Sequence, residues 1–342
     1  MTTEALDLFA EARAKFEQAS GQAGGTQDYF YNLGDYRVCL RFAGPALAPY
    51  FTPALAHLAV APVAQPHLTV CLWDSATTQV SPPTAPLTTG GFTQRGEIVG
   101  YHAERVQVRV QFAPDILNVL DLETNEGVYW IRAAAQVPAY ETGSPLLAIL
   151  NWWMSRHGRQ LAHAGVVGSQ SQGVMLVGKG GSGKSTTSLA CVAAGFTYVS
   201  DDYCLLRAEP PYAYSLFNSG KLDSASIARL PHFESAAQKI RRAEDDKTIY
   251  FLHQLWPARV STGLPLKAIL LPRVTGQPAT RLRPATPAAA LTALAPSTLF
   301  QLAGGGQTEF QTLARLVRQL PCYHLDLGTQ LSDIVQVIES LM

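Results

Sequence analysis

The stretch that most constrains this chain is Gly178-Lys179-Gly180-Gly181-Ser182-Gly183-Lys184-Ser185, which fits the pattern G-x-x-x-x-G-K-[ST] at every fixed position. Glycines at this spacing let consecutive backbone N–H groups turn inward and line a concave anion site. A helix that begins where the loop ends adds its own unpaired N–H groups and the positive end of its dipole. Lys184 then brings a point charge to the outer phosphates, and the Ser185 hydroxyl is of the type that ligates Mg²⁺. The pattern has this meaning only between a strand and a helix. Val174-Met175-Leu176-Val177 is a short apolar run before it, and residues 186–194 are helix-compatible up to Gly195, a C′ stop. Residues 178–185, with Thr186 in the first helical turn, are therefore expected to bind a nucleotide. The plain alternative is a Gly-rich turn that caps a helix.

Spacing selects the acidic partners of this loop. A helix of about ten residues from Lys184 is roughly 15 Å long. Gly195 turns the chain, and Phe196-Thr197-Tyr198-Val199-Ser200 makes a strand of similar length running back. Asp201 and Asp202 then emerge at the same edge as the loop. Two adjacent carboxylates there have separate jobs available, one on Mg²⁺ and one taking a proton from an attacking hydroxyl; a solvated acidic turn is the alternative. Upstream, residues 162–168 and 173–178 flank the polar turn Ser169-Gln170-Ser171-Gln172. A hairpin centred between Gln170 and Ser171 sets residue 163 opposite residue 178, at the loop mouth. His163 is then expected either to contact phosphate or tune a carboxylate, or to be a strand-end histidine with a satisfied hydrogen bond. Lys221 and Arg242 are candidate phosphate or substrate contacts further on, against the alternative of surface solvation. Leu302-Ala303-Gly304-Gly305-Gly306-Gln307 imitates the LSGGQ signature of ABC transporter ATPases. It carries an extra Gly, and no Glu follows Asp326, so it reads as a flexible loop before a helix.

The length of 342 residues suggests about two domains. Before the loop, residues 36–42, 68–73, 105–112 and 127–133 read as strands, with a helix near the N-terminus carrying Leu6, Phe9, Ala10 and Phe16 on one side. This is a strand-rich α+β unit without a catalytic signature. Helical spacing resumes at Ser144-Pro145, an N-cap followed by Pro at N1, so domains are expected at 1–142 and 143–342. Later segments alternate strands with helices. Residues 212–222 read as a strand leading to a turn that contains Lys221, and 224–230 and 233–240 as helices. Strands at 267–272 and 323–327 alternate with helices at 287–294, 309–320 and 331–341, which argues for an α/β core.

Composition narrows the partners. Charged residues are 15% of the chain and the formal net charge is zero, which argues against electrostatically driven binding to nucleic acid or an anionic membrane. Five cysteines without a C-x-x-C clip suggest reduced thiols. The N-terminus lacks the cationic start and apolar core of a signal peptide, and no long apolar run predicts a transmembrane helix. A cytoplasmic protein, with no membrane insertion, is the expectation.

Three motifs in register, His163-Ala164-Gly165, the phosphate loop and Ser200-Asp201-Asp202, resemble those of HPr kinase/phosphorylase and its wider relatives, including kinases encoded beside lasso-peptide genes. The close resemblance covers residues 162–207. It implies an α/β fold with the phosphate-loop core shared by HPr kinase and phosphoenolpyruvate carboxykinase, preceded here by a smaller α+β N-terminal domain for substrate or partner recognition. It implies ATP and Mg²⁺ as cofactors and an acceptor Ser on a protein or peptide. Asp201 would be the base, Asp202 its partner near the metal, His163 an active-site residue, and Lys184, Ser185 and the loop the holders of MgATP. Members acting on HPr carry Glu where this chain has Thr186, and their later Gly-Arg signature is not found here, which leaves both HPr as acceptor and reverse phosphorolysis open. A small-molecule kinase would share every motif, and a non-catalytic nucleotide-binding adaptor would share the loop. A homo-oligomer is compatible with all three.

Overall fold

The alternation of Tyr36, Val38, Leu40 and Phe42 becomes the strand Tyr36–Ala43, second in a six-stranded sheet ordered Thr26–Leu33, Tyr36–Ala43, Leu68–Asp74, Glu126–Ile131, Asp115–Asp121, Val106–Phe112. The computed structural model describes residues 2–84, 91, 98, 103–112, 114–236, 239–241, 246–296, 298 and 306–342. The three middle strands pair in parallel and the outer pairings are antiparallel. Helix Thr2–Gln22 covers one face with Ala5, Leu8, Phe9, Ala12 and Phe16, packed with Cys71, Trp73, Val108 and Val119. The buried stripe is rotated from the one expected, because Leu6 is half-buried and Ala10 is exposed. The hydrophobic effect selects the face that Ala5 and Ala12 allow to approach the sheet closely.

The helix expected from Ser144-Pro145 starts later, at Leu147, and runs to Arg156. Its entry is set by a side chain just upstream: the buried carboxylate of Glu141 accepts the amide of Leu146, which sits at φ 59°, at 2.7 Å. Trp153 stacks on His157 with centroids 3.7 Å apart, and its indole N–H donates to Asn125 at 2.8 Å. These contacts tie the helix to the first sheet. The chain accordingly divides into compact units Met1–His157 and Gly158–Met342 rather than at 142/143.

The second unit is mixed α/β. Its largest sheet runs Thr197–Ser200, Gly165–Gly168, Gly173–Leu176, Gly263–Val274, Tyr212–Ser215, Tyr203–Arg207, Gln160–His163, with Cys322–Leu327 joined at Gly263–Val274 and Arg281–Ala285 paired to Cys322–Leu327. Period-two alternation sends consecutive side chains to opposite faces. Val174, Leu176, Leu270 and Leu325 pack with helices Lys184–Ala193 and Leu331–Glu339. Met175, Val177, Ile269 and Leu271 pack with helices Pro287–Ala295 and Gln307–Gln319. Gly263–Val274 is shared between three pairings: residues up to Pro265 lie antiparallel to Tyr212–Ser215, those from Leu266 to Leu270 parallel to Gly173–Leu176, and those from Ile269 on parallel to Cys322–Leu327.

A separate three-stranded sheet is ordered Ser219–Asp223, Lys247–Phe251, Lys239–Arg241. It corrects two expectations. Residues 212–222 are two strands in different sheets, so Lys221 lies within a strand and not in a turn. Residues 233–240 are not one helix: only Pro231–Glu234 is helical, and Lys239–Arg241 pairs with the neighbouring strand. Arg242 and residues 302–305 lie outside the described residues. Among the described residues, no helix is long and apolar enough to cross a membrane.

Candidate active site

The strand Gly173–Leu176 leads into the loop, and the helix Lys184–Ala193 leaves it. Gly183 makes the junction at φ 98°, and a Cβ there would stand 2.4 Å from Cδ1 of Leu327, so both backbone angle and space require glycine. Lys184 is 7% exposed, and its ammonium donates to the carbonyls of Gly178 at 2.6 Å and Lys179 at 3.3 Å. Burial lowers its pKa, and the charges of Asp201 and Asp202 oppose that shift. Lys179, Gly180 and Gly181 are exposed, while the buried hydroxyl of Ser182 has no hydrogen-bond partner among the described residues. Thr186, expected on the cofactor side, shares a hydrogen bond of 2.7 Å with Ser226 of the helix Ser224–Arg229.

The hairpin upstream has the expected register, Gly165 opposite Leu176 through Gly168 opposite Gly173. The chain leaves that hairpin at Ala164, however, whose carbonyl accepts the Ser200 hydroxyl at 2.9 Å. Residues Gln160–His163 join a different neighbour, Tyr203–Arg207, with His163 opposite Tyr203. Gly165 has its own steric reason: a Cβ would lie 2.4 Å from the hydroxyl of Ser188 on the loop helix. Thr197–Ser200 returns antiparallel to Gly165–Gly168. His163, Asp201 and Asp202 thereby meet at the loop.

The two carboxylates have different surroundings. Asp202 accepts from His163 Nε2 at 2.6 Å and from the Lys221 ammonium. Burial pushes its pKa up, but Lys221 and His163 more than offset this and hold it well below the usual carboxylate range. Asp201 is 1% exposed; its Oδ2 accepts the Lys221 amide at 2.9 Å, and its Oδ1 is buried with no hydrogen-bond partner among the described residues. Burial raises Asp201 to about 6; Asp202 adds to the rise, while the Lys221 amide and the neighbouring Ser185 hydroxyl oppose it. His163 rests beside the ring of Tyr203, its amide bonded to Thr298 at 3.1 Å.

Lys221 is the residue that sequence reasoning undervalued. It is 8% exposed and touches both carboxylates, one through its amide and one through its side chain. No local pattern reveals this, because the contact depends on how the three-stranded sheet abuts Asp201 and Asp202.

The donors suit a hard cation: the Ser185 hydroxyl beside the carboxylate of Asp201, which has an unpartnered buried oxygen, with Asp202 next to it in the chain. Among the described residues there is no cluster of three His, Cys, Asp or Glu side chains of metal-binding type. Mg²⁺ held with nucleotide phosphates needs only one or two protein carboxylates.

No protein-family model matches the chain, and no curated protein matches it. Among solved structures, the chain is distantly similar to the Hpr(Ser) kinase/phosphatase from Coxiella burnetii. The identity is 14% and the TM-score 0.27, over 53% of this chain and 93% of that one.

Proposed function

We infer that this chain is an ATP- and Mg²⁺-dependent phosphotransferase of the HPr-kinase-like serine kinase type, moving the γ-phosphoryl group of ATP to a hydroxyl on a protein or peptide. The observation that carries the reading is the meeting of the phosphate loop with His163, Asp201, Asp202 and Lys221 around one end of the loop helix.

The loop amides, from Gly178 through Ser185, hold the outer phosphates, and Lys184 exchanges the carbonyls of Gly178 and Lys179 for phosphate oxygens. Ser185 and Asp202 would hold Mg²⁺, which supplies neutralisation of charge across the phosphates when bound. Asp201 is the proton acceptor. Its unpartnered Oδ1 and its pKa of about 6 suit a group that is ionised near neutrality yet takes a proton readily. The acceptor hydroxyl gives its proton to Asp201 as its oxygen bonds to the γ-phosphorus and the bond to ADP breaks. His163 fixes Asp202 by the contact at 2.6 Å.

The test is purified protein with Mg²⁺ and γ-labelled ATP, offered peptides encoded beside the gene and a set of small hydroxyl metabolites. Label on a protein or peptide supports the reading; label on metabolites alone replaces it with a small-molecule kinase; ATP binding without transfer to any acceptor replaces it with an adaptor. Asp201→Asn should keep ATP binding and lose about 10²–10⁴-fold in transfer rate. Lys184→Ala should weaken both binding and transfer. Loss of Mg²⁺ affinity in Asp201→Asn, with transfer lost only in Asp202→Asn, would exchange the two carboxylates' roles.

A further inference from the structure

Lys221 sets its ammonium against Asp202, the carboxylate proposed above to hold Mg²⁺. Its ammonium lies on Asp202 Oδ2 while His163 Nε2 holds Oδ1 at 2.6 Å, so both oxygens of that carboxylate are taken by the protein's own side chains. Its amide holds Asp201 Oδ2 at 2.9 Å, which fixes the Lys221 backbone and leaves only the side chain free to move. The ring of Tyr203 lies 5.9 Å from the ammonium and gives the charge a favourable second face. The residue is 8% exposed, so it is a built contact and not a surface lysine resting on a neighbour.

Charge balance then decides when a divalent ion can enter. Buried charges persist only when paired. Among the protein's own groups, Lys221 answers Asp202, and Lys184 is satisfied by loop carbonyls. A divalent ion arriving alone would have to displace Lys221 and leave that buried ammonium without its partner carboxylate. An ion arriving with a polyphosphate brings new acceptors for both lysines. Resting on the phosphotransferase reading above, we propose that Lys221 is a place-holder for the divalent cation: it guards Asp202 until nucleotide phosphates arrive to take its charge, so the site accepts metal with nucleotide and not before it.

The experiment uses the full-length protein and Mn²⁺ alone as a paramagnetic probe, with bound ion counted by electron paramagnetic resonance and nucleotide withheld. Lys221→Met keeps the side-chain length and removes the charge. It should bind Mn²⁺ at least about tenfold more tightly than wild type, the change that about 1.4 kcal/mol of coupling gives. The double variant Lys221→Met with Asp202→Asn should return to weak binding. Lys247→Met, which removes an exposed lysine within electrostatic reach of Lys184, is the control for a general charge effect. In wild type, a non-hydrolysable ATP analogue should raise Mn²⁺ affinity by more than it does in Lys221→Met.

Equal Mn²⁺ affinity in wild type and Lys221→Met, or an equal gain in Lys247→Met, overturns the proposal. Should Lys221→Met fail to fold, Lys221→Gln replaces it with the same expectations. The two readings fail separately. Tighter Mn²⁺ binding without phosphoryl transfer to any acceptor sinks the kinase assignment and keeps the place-holder. Unchanged Mn²⁺ binding in a protein that does transfer phosphate sinks the place-holder alone.

Discussion

Asp201 and Asp202 are chain neighbours with opposite shifts, one carboxyl raised and the other held low, and the difference comes entirely from partners. Their arrival at the loop was legible from the sequence, because helix and strand rise per residue fix where a chain returns. The division of labour between them was not, because it depends on Lys221, contributed by another sheet. Gly183 is legible in both respects, through the motif and through its geometry. Alanine there would add a left-handed strain of about 1–2 kcal/mol and an overpacking cost of about 1–3 kcal/mol against Leu327. Gly183→Ala should therefore lower the thermal midpoint of the second unit and weaken nucleotide binding together. Calorimetry on one preparation reads both, and an unchanged midpoint would show that the loop tolerates a side chain at this position.

At the scale of elements, the hairpin of Gly165–Gly168 with Gly173–Leu176 was readable to the residue, because a short polar turn between two apolar runs fixes register. The step at Ala164 was not readable. Hydrophobic pattern is the same on both sides of it, and only the competing neighbour Tyr203–Arg207 draws residues 160–163 away. The start of helix Leu147–Arg156 failed for a similar reason. Ser144-Pro145 is a good local signal, yet the buried carboxylate of Glu141 takes the Leu146 amide and fixes the first turn. That arrangement has a pH signature. Burial lifts Glu141 from 4.5 to about 7, with the Leu146 amide and Arg109 opposing. A carboxyl whose folded-state pKa lies above its unfolded one contributes stability that is full below the unfolded value and lost as pH rises through the folded one. The first unit should thus lose stability between pH 4.5 and about 7, and Glu141→Gln should flatten that decline. Tryptophan fluorescence melts follow it selectively, since Trp73, Trp130, Trp152 and Trp153 lie in that unit and only Trp256 in the other. Parallel pH profiles for the two proteins would remove Glu141 as the cause.

For the whole molecule, the sequence suggests domains at 1–142 and 143–342, and the compact units of the structure are Met1–His157 and Gly158–Met342, the second mixed α/β. Each unit keeps its own apolar core: Phe16 and Trp73 belong to one cluster, Leu189 and Leu270 to another. Acceptor recognition is the part proposed for the first unit. Within the second unit, Gly263–Val274 lies antiparallel to one neighbour early and parallel to others later. No strand bordering it can peel away without breaking ladders on both of its sides. The amides of Ile269 and Leu270 should therefore be released to deuterium only when the whole unit opens, at one common free energy, whereas Lys239–Arg241, three residues on the small sheet, should exchange far earlier. Separate exchange energies for the early and late halves of Gly263–Val274 would mean two foldons. A single energy would mean that the frame under the loop of residues 178–185 rises and falls as one body, so that the nucleotide proposed to bind at one edge would slow exchange along the full length of the strand.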